Sequence, residues 1–225
     1  MLIPSIDLLG GRIVQLVQGE KLRLAFDDFD YWIEKFSRFP LVQLIDLDAA
    51  MRQGDNSALV AQIAGRLPVQ VGGGIRSIEC ARQVLDAGAK RVIIGSALFS
   101  AESGVNRGFA SSLADAIGAE RVVAGIDTKS GRIAVKGWKA HVELTPDEAI
   151  PQLEPYAAAF LYTHVDGEGM LQGFPLATAE RLRKLTQRQL IVAGGIRSQQ
   201  EVDALDALGA DSVVGMAVYT DLLTV

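Results

Sequence analysis

The chain has 225 residues, 49% of them hydrophobic, and a formal net charge of −5 at pH 7. This length fits one large domain with a sizeable core, and the acidic balance argues against a nucleic-acid surface. Its single cysteine, Cys80, cannot form an internal disulfide, and no apolar run approaches the roughly 20 residues of a membrane-spanning helix. Because the chain start also lacks a signal-peptide pattern, we expect a cytoplasmic protein that binds neither nucleic acid nor membrane.

Predicted strands and helices alternate along the chain. The first half gives strands at 2–7 and 41–45, an extended run at 12–17, a polar loop at 18–25, and helices at 27–36 and 57–64. The second half gives helices at 102–117, 146–153 and 176–185, strands at 121–126, 158–162 and 211–214, and only a short segment at 217–223. The remaining strands belong to a repeated unit.

That unit is marked by the sequence Gly-Gly-Ile-Arg-Ser, which begins at Gly73 and again at Gly194, 121 positions later. Each copy follows a short apolar run and precedes a helical pattern that ends at a glycine. A second apolar run then closes on Gly95 in one copy and on Gly215 in the other. Such self-similarity indicates a duplicated unit of strand, glycine loop, helix and strand.

Eight strands alternating with helices predict a (β/α)8 TIM barrel, here built from two duplicated half-barrels. We expect a single barrel domain over residues 1–225, with half-barrels at roughly 1–118 and 119–225. An open doubly wound sheet is the competing architecture. It would not explain why the two halves repeat strand for strand.

Two aspartates are the candidate catalytic residues. In such barrels the active site lies at the carboxyl ends of the strands, and Asp7 and Asp127 end strands one and five. Two carboxyls facing one mouth can act as general base and general acid if their surroundings separate their pKa values. A lone strand-end aspartate more often caps a loop, but both copies keep it in register with a following Gly-Arg-Ile. This repetition favours catalysis.

The glycines that end strands three, four, seven and eight predict two anion sites. Glycine lets the backbone approach a ligand closely, and a following helix offers free N–H groups. Ser96 adds a hydroxyl after Gly95. Tight-turn geometry alone is the alternative for a single Gly-Gly pair. Two equivalent sites on opposite sides of one mouth predict a ligand with a phosphate at each end.

Other residues near the mouth have two interpretations each. Asp48 and Asp166 can hydrogen-bond a sugar hydroxyl or cap their own loops, and His164 can shuttle a proton or donate a hydrogen bond. Trp138 can stack on a planar heterocycle or pack its loop against the barrel top. With two histidines in the chain, no histidine-based metal set is available.

Several motifs match one family in the family's own order, over almost the whole chain. They are Ile3-Pro4-Ser5-Ile6-Asp7, Val17-Gln18-Gly19, residues 71–77, Asp127 with Gly131-Arg132-Ile133-Ala134 and Gly137-Trp138, and residues 193–196. Together they resemble the ProFAR isomerases of histidine biosynthesis. The resemblance implies a monomeric (β/α)8 enzyme that converts the aminoaldose ProFAR to the aminoketose PRFAR by an Amadori rearrangement. It further implies a small bisphosphorylated substrate and no metal or organic cofactor.

The same resemblance implies roles for individual residues. Asp7 would remove the proton from ribose C2, and Asp127, beside Thr163, would protonate the ring oxygen. One phosphate would be held by Gly74, Gly95 and Ser96, and the other by Gly195, Gly215 and Met216. The other implied binding positions are Gly19, Asp48, Arg76, Trp138, His164, Glu168 and Gly169.

Two loops and the chain end depart from the family pattern. The usual Asp-Gly-Thr-Leu after strand six is Glu168-Gly169-Met170-Leu171 here, and His164 stands where an acid is common. Residues 24–28 replace a Thr-x-Tyr and Asp-Pro pattern, and the short end of the chain predicts an abbreviated eighth helix.

Three alternative functions stay open. The cyclase that makes imidazole glycerol phosphate shares the fold and both acids, but it usually has Cys-Leu-Asp where this chain has Ser5-Ile6-Asp7, and it lacks the Gly137-Trp138 pattern. A dual-specificity isomerase that also accepts phosphoribosylanthranilate is the closer rival. A barrel that binds a phosphorylated metabolite without turnover is motivated by the altered loop and opposed by the two intact aspartates.

Overall fold

The computed structural model describes residues 1–100 and 104–224. Within them, eight parallel strands close into a barrel, each paired with its neighbours in sequence and the last paired with the first. The strands are β1 (Leu2–Leu9), β2 (Val42–Asp46), β3 (Val69–Gly72), β4 (Arg91–Ile94), β5 (Val122–Lys129), β6 (Ala159–His164), β7 (Gln189–Ala193) and β8 (Ala210–Val214). The predicted TIM barrel is therefore confirmed. The alternative prediction of an open doubly wound sheet is wrong, because the last strand pairs with the first.

Helices connect the strands. They are α1 (Phe29–Phe36), α2 (Leu47–Met51), α3 (Ser57–Ala64), α4 (Ile78–Asp86), α5 (Arg107–Ile117), α6 (Pro146–Leu153), α7 (Leu176–Arg183), α8 (Gln199–Ala207) and α9 (Met216–Tyr219). A small buried cluster fills the barrel interior, and a larger one lies between strands and helices. In the part of the chain that the structure describes, no helix is long and apolar enough to cross a membrane.

The Gly-Gly-Ile-Arg-Ser repeat has the same conformation in both copies. Its serines, Ser77 and Ser198, cap α4 and α8 by accepting a hydrogen bond from the backbone N–H three residues later. The first glycines, Gly73 and Gly194, have φ of +96° and +109°. A Cβ at Gly73 would lie 2.1 Å from the carbonyl oxygen of Asp46. Only glycine therefore fits where this turn crosses the end of the neighbouring strand.

The prediction of a polar loop at 18–25 is wrong. Lys21–Phe26 is a strand that pairs antiparallel with the strand Arg12–Val17, which in turn pairs with β1. Gln18 and Gly19, with φ of 51° and 70°, reverse the chain between them. We call this hairpin the first arm. In the second half, Arg132–Val135 folds back on β5 and pairs with Ala140–His141, which forms the second arm.

Helix boundaries show smaller differences. The short helix α2 lies where the sequence predicted only a strand end and a loop. The helix predicted from residue 102 begins later, because Gly104–Val105 pairs with Phe99–Ser100 and Asn106 caps α5. Its predicted start at residue 102 lies outside the described residues. The abbreviated last helix is confirmed, since α9 has four residues. The division into half-barrels near residue 118 stays a prediction.

The close approach at Gly73 gives a stability test with a matched control. Gly131 also has positive φ, +78°, but a Cβ there would meet nothing within 4 Å. We expect Gly131→Ala to cost about 1–2 kcal/mol, the usual cost of a left-handed residue. Gly73→Ala should cost about 1–3 kcal/mol more, because the Asp46 carbonyl must be displaced. Urea unfolding of both variants measures the difference. Equal losses would contradict the steric argument.

Candidate active site

A cavity of about 270 Å³ opens at the carboxyl ends of the barrel strands, and both arms contribute to its wall. Because parallel strands all end at this face, it collects side chains from distant parts of the sequence. The predicted site residues that line it are Asp7, Gly19, Gly74, Arg76, Gly95, Ser96, Asp127, Trp138, Thr163, Glu168, Gly169, Gly195, Gly215 and Met216. Within this site, Asp7 and Asp127 stand on β1 and β5, on opposite sides of the ring.

Asp7 has one hydrogen-bond donor close by in its own strand. Its Oδ1 accepts a hydrogen bond of 2.9 Å from the hydroxyl of Ser5. Burial raises the pKa of Asp7 to about 6, and the Ser5 bond partly opposes this shift. A carboxyl with this pKa is mostly ionised at neutral pH and basic enough to take up a proton.

Asp127 is held by different partners. Its Oδ2 accepts a 2.8 Å hydrogen bond from the indole Nε1 of Trp138. Thr163 is paired with Asp127 across β5 and β6. Burial raises the pKa of Asp127, while the Trp138 and Thr163 side chains lower it by stabilising the ionised form.

Glu168, which stands where the resembled family has an aspartate, lines the cavity together with Asp7 and Asp127. Burial, together with the negative charges of Asp7 and Asp127, raises its pKa to about 8. At neutral pH, Glu168 therefore keeps its proton while Asp7 has lost its own. The three carboxyls thus provide both a proton acceptor and a proton donor.

Trp138 contacts the turn of the first arm. A Cβ on Gly19 would lie 2.6 Å from the indole ring, so the ring rests directly on the Gly19 backbone. Two residues before Trp138, the backbone N–H of Lys136 donates a hydrogen bond to the Ser96 hydroxyl oxygen at 2.8 Å. This bond uses the oxygen of Ser96 and leaves its proton available to a ligand.

The two predicted phosphate sites have matching backbones. Gly95 and Gly215, at the ends of β4 and β8, share φ near −100° and ψ near −100° (−102° and −103°, −105° and −93°). A short helical turn follows each of them, Ser96–Leu98 in one half and α9 in the other. The first N–H groups of such turns have no partner within the turn. Their orientation toward a phosphate stays a prediction.

Arg76 lines the cavity but already has backbone partners. Its guanidinium donates to the carbonyl oxygens of Ala49 and Ala50, at 3.2 and 2.8 Å, near the end of α2. It therefore ties the loop after β3 to the loop after β2. Its counterpart Arg197 instead bonds Glu201.

Asp48, one of two predicted binding residues outside the cavity, accepts hydrogen bonds from the Gly10 N–H at 2.6 Å and from the Asn56 amide at 2.8 Å. In the other half, Asp166 accepts from the Ser130 N–H at 2.8 Å. Gly10 and Ser130 are equivalent turn residues, so the loop-capping interpretation describes both aspartates.

His164 is the second predicted binding residue that the cavity does not include. Its side chain lines a separate shallow cleft with Phe174 and Glu201. The imidazole lies edge-on to Phe174, with ring centroids 6.3 Å apart. His164 ends β6 one residue after Thr163, and side chains alternate across a strand, so the two point to opposite faces.

Sequence reasoning missed several lining residues. Gln15 and Gln43 line the cavity, and Gln15 lies so close to Gly215 that a Cβ there would be 2.5 Å from its Oε1. Period-two alternation on β2 and on the first arm was the available signal. Lys139, next to Trp138, also lines the cavity. Among the residues described, no three His, Cys, Asp or Glu side chains are grouped to hold a metal ion.

The pKa of Glu168 predicts a pH-dependent stability. Its ordinary value is 4.5 and its folded value about 8. Between these values the folded protein keeps a proton that the unfolded chain releases, so stability falls as pH rises. Glu168→Gln cannot titrate. We expect the Tm of this variant to fall less than that of the parent between about pH 5 and about pH 8.5. Glu180→Gln, exposed on α7, is the control. A parent-like decline in Glu168→Gln would contradict the assignment.

Known proteins resemble this chain over its whole length. Residues 1–224 match the family described as histidine biosynthesis protein. A relative from Methanocaldococcus jannaschii is 34% identical over 99% of this chain and 95% of its own. One from Archaeoglobus fulgidus is 36% identical over 98% and 93%, and one from Methanosphaera stadtmanae 32% over 100% and 96%.

All three relatives carry the same name, 1-(5-phosphoribosyl)-5-((5-phosphoribosylamino)methylideneamino)imidazole-4-carboxamide isomerase, which is ProFAR isomerase. The match includes both halves of the barrel, and thereby the strand ends that carry Asp7 and Asp127. The resemblance inferred from the motifs is confirmed. The chain belongs to the histidine biosynthesis protein family.

Proposed function

We propose that the protein is an isomerase of histidine biosynthesis that converts ProFAR to PRFAR. The observation that carries the proposal is the composition of one cavity. Carboxyl groups from the opposite strands β1 and β5 line it together with two glycine-rich strand ends. Relatives named ProFAR isomerase, matched over nearly their full length, support the same activity.

The two glycine-rich ends account for the bisphosphorylated substrate. In the proposed complex, one phosphate binds at Gly74, Gly95 and Ser96, and the other at Gly195, Gly215 and Met216. Backbone N–H groups bind phosphate without basic side chains, which agrees with the net negative charge of the chain. The aminoaldose between the phosphates then lies across the carboxyls.

The proposed chemistry is proton transfer only. A protonated carboxyl gives its proton to the ring oxygen, the C1–oxygen bond breaks with its electrons on oxygen, and the glycosyl nitrogen forms a protonated C1=N bond. Asp7 then takes the proton from C2, which gives an enaminol. The enaminol gains a proton at C1 and loses the C2 hydroxyl proton to become the aminoketose. No proton is gained or lost overall.

Two carboxyls can supply the first proton. The resemblance implies Asp127. The electrostatics favour Glu168, because its pKa of about 8 keeps it protonated at neutral pH, whereas burial raises the pKa of Asp127 against the opposing hydrogen bonds of Trp138 and Thr163. Both side chains line the cavity, so variants must decide between them.

Cellular location and assembly complete the proposal. A single cysteine and a role in amino-acid biosynthesis favour the cytoplasm, and the resemblance favours a monomer. We expect one species near 24.1 kDa in analytical ultracentrifugation.

The first test is whether the purified protein converts ProFAR to PRFAR in metal-free buffer, with substrate and product separated by chromatography. Asp7→Asn should lose at least about 100-fold in kcat, the usual contribution of a general base, and Asp127→Asn should lose as much if Asp127 is the acid. Asp86→Asn, exposed on α4, should keep parent activity. Phosphoribosylanthranilate, with its single phosphate, is assayed alongside. Tight bisphosphate binding without turnover in the parent would instead establish a binding barrel.

The pH dependence of kcat/KM identifies the acid. Asp7 must be ionised and the donor protonated, so activity should rise through about pH 6 and fall through about pH 8. Because the carboxyls interact, these are apparent values of the group. If Glu168 is the donor, Glu168→Gln should lose about 100-fold or more and the falling limb should disappear. Parent-like activity in Glu168→Gln would assign the role to Asp127.

A further inference from the structure

Ser5 stands directly beneath the proposed base. It precedes Asp7 by two residues on β1, so both side chains point to the same side of the strand, into the barrel. Ser5 is 5% exposed and lines the cavity. Its Oγ donates to Oδ1 of Asp7 at 2.9 Å. A buried hydroxyl is thus aimed at the carboxylate that must accept the substrate proton.

The backbone around Ser5 is fixed from both sides. Its carbonyl oxygen accepts a 3.0 Å hydrogen bond from the hydroxyl of Tyr219 on α9. On the neighbouring strand β2, the paired residue is Gln43, whose Oε1 accepts from the Gln70 amide at 2.9 Å. The Tyr219 bond and the strand pairing hold the Ser5 backbone independently of its hydroxyl, so removal of the hydroxyl leaves them in place.

The second half of the barrel lacks this contact. Gly125, 120 positions later, occupies the place of Ser5 two residues before Asp127, and it has no side chain. The donor to Asp127 is Trp138, which comes from the second arm. Asp7 therefore accepts its hydrogen bond from its own strand, whereas Asp127 accepts one from the second arm.

The burial of Asp7 makes a donor necessary. Burial and the charge of Asp7 raise the pKa of Glu168 and of Tyr219, so both side chains are neutral at neutral pH. Asp127 adds a further carboxyl to the same cavity. Burial favours the neutral form of Asp7, which cannot act as a base. The hydrogen bond from Ser5 to the carboxylate opposes this effect.

We propose that Ser5 is a positioning residue that keeps Asp7 ionised and directs one of its two oxygens to the substrate. Oδ1 is occupied by the Ser5 hydroxyl. Oδ2 is then the oxygen that takes the C2 proton. This assignment rests on the proposed function, since it names the Asp7 oxygen that would accept the C2 proton of the substrate.

The test compares Ser5→Ala with two other variants. Ser212→Ala is the matched control, because Ser212 is also a buried serine, on the adjacent strand β8, but its hydroxyl has no hydrogen-bond partner among the described residues. Ser5→Thr retains the donor. The readouts are the titration of the Asp7 carboxyl by carbon-13 NMR, thermal unfolding, and the pH profile of kcat and KM.

In Ser5→Ala, we expect the pKa of Asp7 to rise by about one unit or more, since a hydrogen bond to a charged group contributes about that much. At about pH 5 and below, kcat should fall about tenfold, while KM stays near the parent value. Ser5→Thr should restore most of both properties. Ser212→Ala should resemble the parent.

Two results would overturn the proposal. One is an Asp7 titration in Ser5→Ala that matches the parent, and the other is an equal shift in Ser212→Ala. The NMR titration needs no substrate. If the parent does not convert ProFAR, the proposed function fails, while the titration still decides whether Ser5 controls Asp7.

Discussion

The mouth of the barrel depends on the close approach of two backbones, which occurs once in each half. At Gly73 and Gly194 the chain turns across the carbonyl of Asp46 or His164, with no room for a Cβ. Closing a ring of eight strands brings neighbouring strand ends this close. The same turns bring Ser77 and Ser198 to the starts of α4 and α8. A short repeated sequence therefore serves closure, helix capping and the shape of the cavity together.

Electrostatics gives the cavity its chemical character. Asp7, Asp127 and Glu168 share one cavity, and burial raises the pKa of each. Their local donors separate them, with Ser5 beside Asp7, and Trp138 and Thr163 beside Asp127. Burial and the negative charges of both aspartates raise the pKa of Glu168 to about 8, so it keeps its proton at neutral pH. Such a grouping costs folding stability and is retained in proteins mainly where the chemistry needs it.

The two arms join the ends of the cavity to its centre. Ser96, at one predicted phosphate site, accepts a hydrogen bond from Lys136, two residues before Trp138. Trp138 in turn bonds Asp127 and rests on Gly19 of the first arm. The Gln18 N–H of that arm donates to the Glu168 carbonyl at 3.0 Å. Each arm is thus bonded to a strand end of the other half-barrel, and the second arm is also bonded to Asp127 on its own strand β5.

The sequence alone was sufficient for the fold, the placement of Asp7 and Asp127 on opposite strands, and the family. Repeated glycines and strand-end acids are local signals, and their meaning depends little on distant contacts. It failed at Lys21–Phe26, where a segment predicted as a loop pairs with Arg12–Val17 as a strand. Only the tertiary structure decided that Asp48 holds a turn instead of lining the cavity, and that Glu168 faces both aspartates. A hydrogen-bond partner or a neighbouring charge comes from residues far away in the chain, so these roles arise only when the barrel closes.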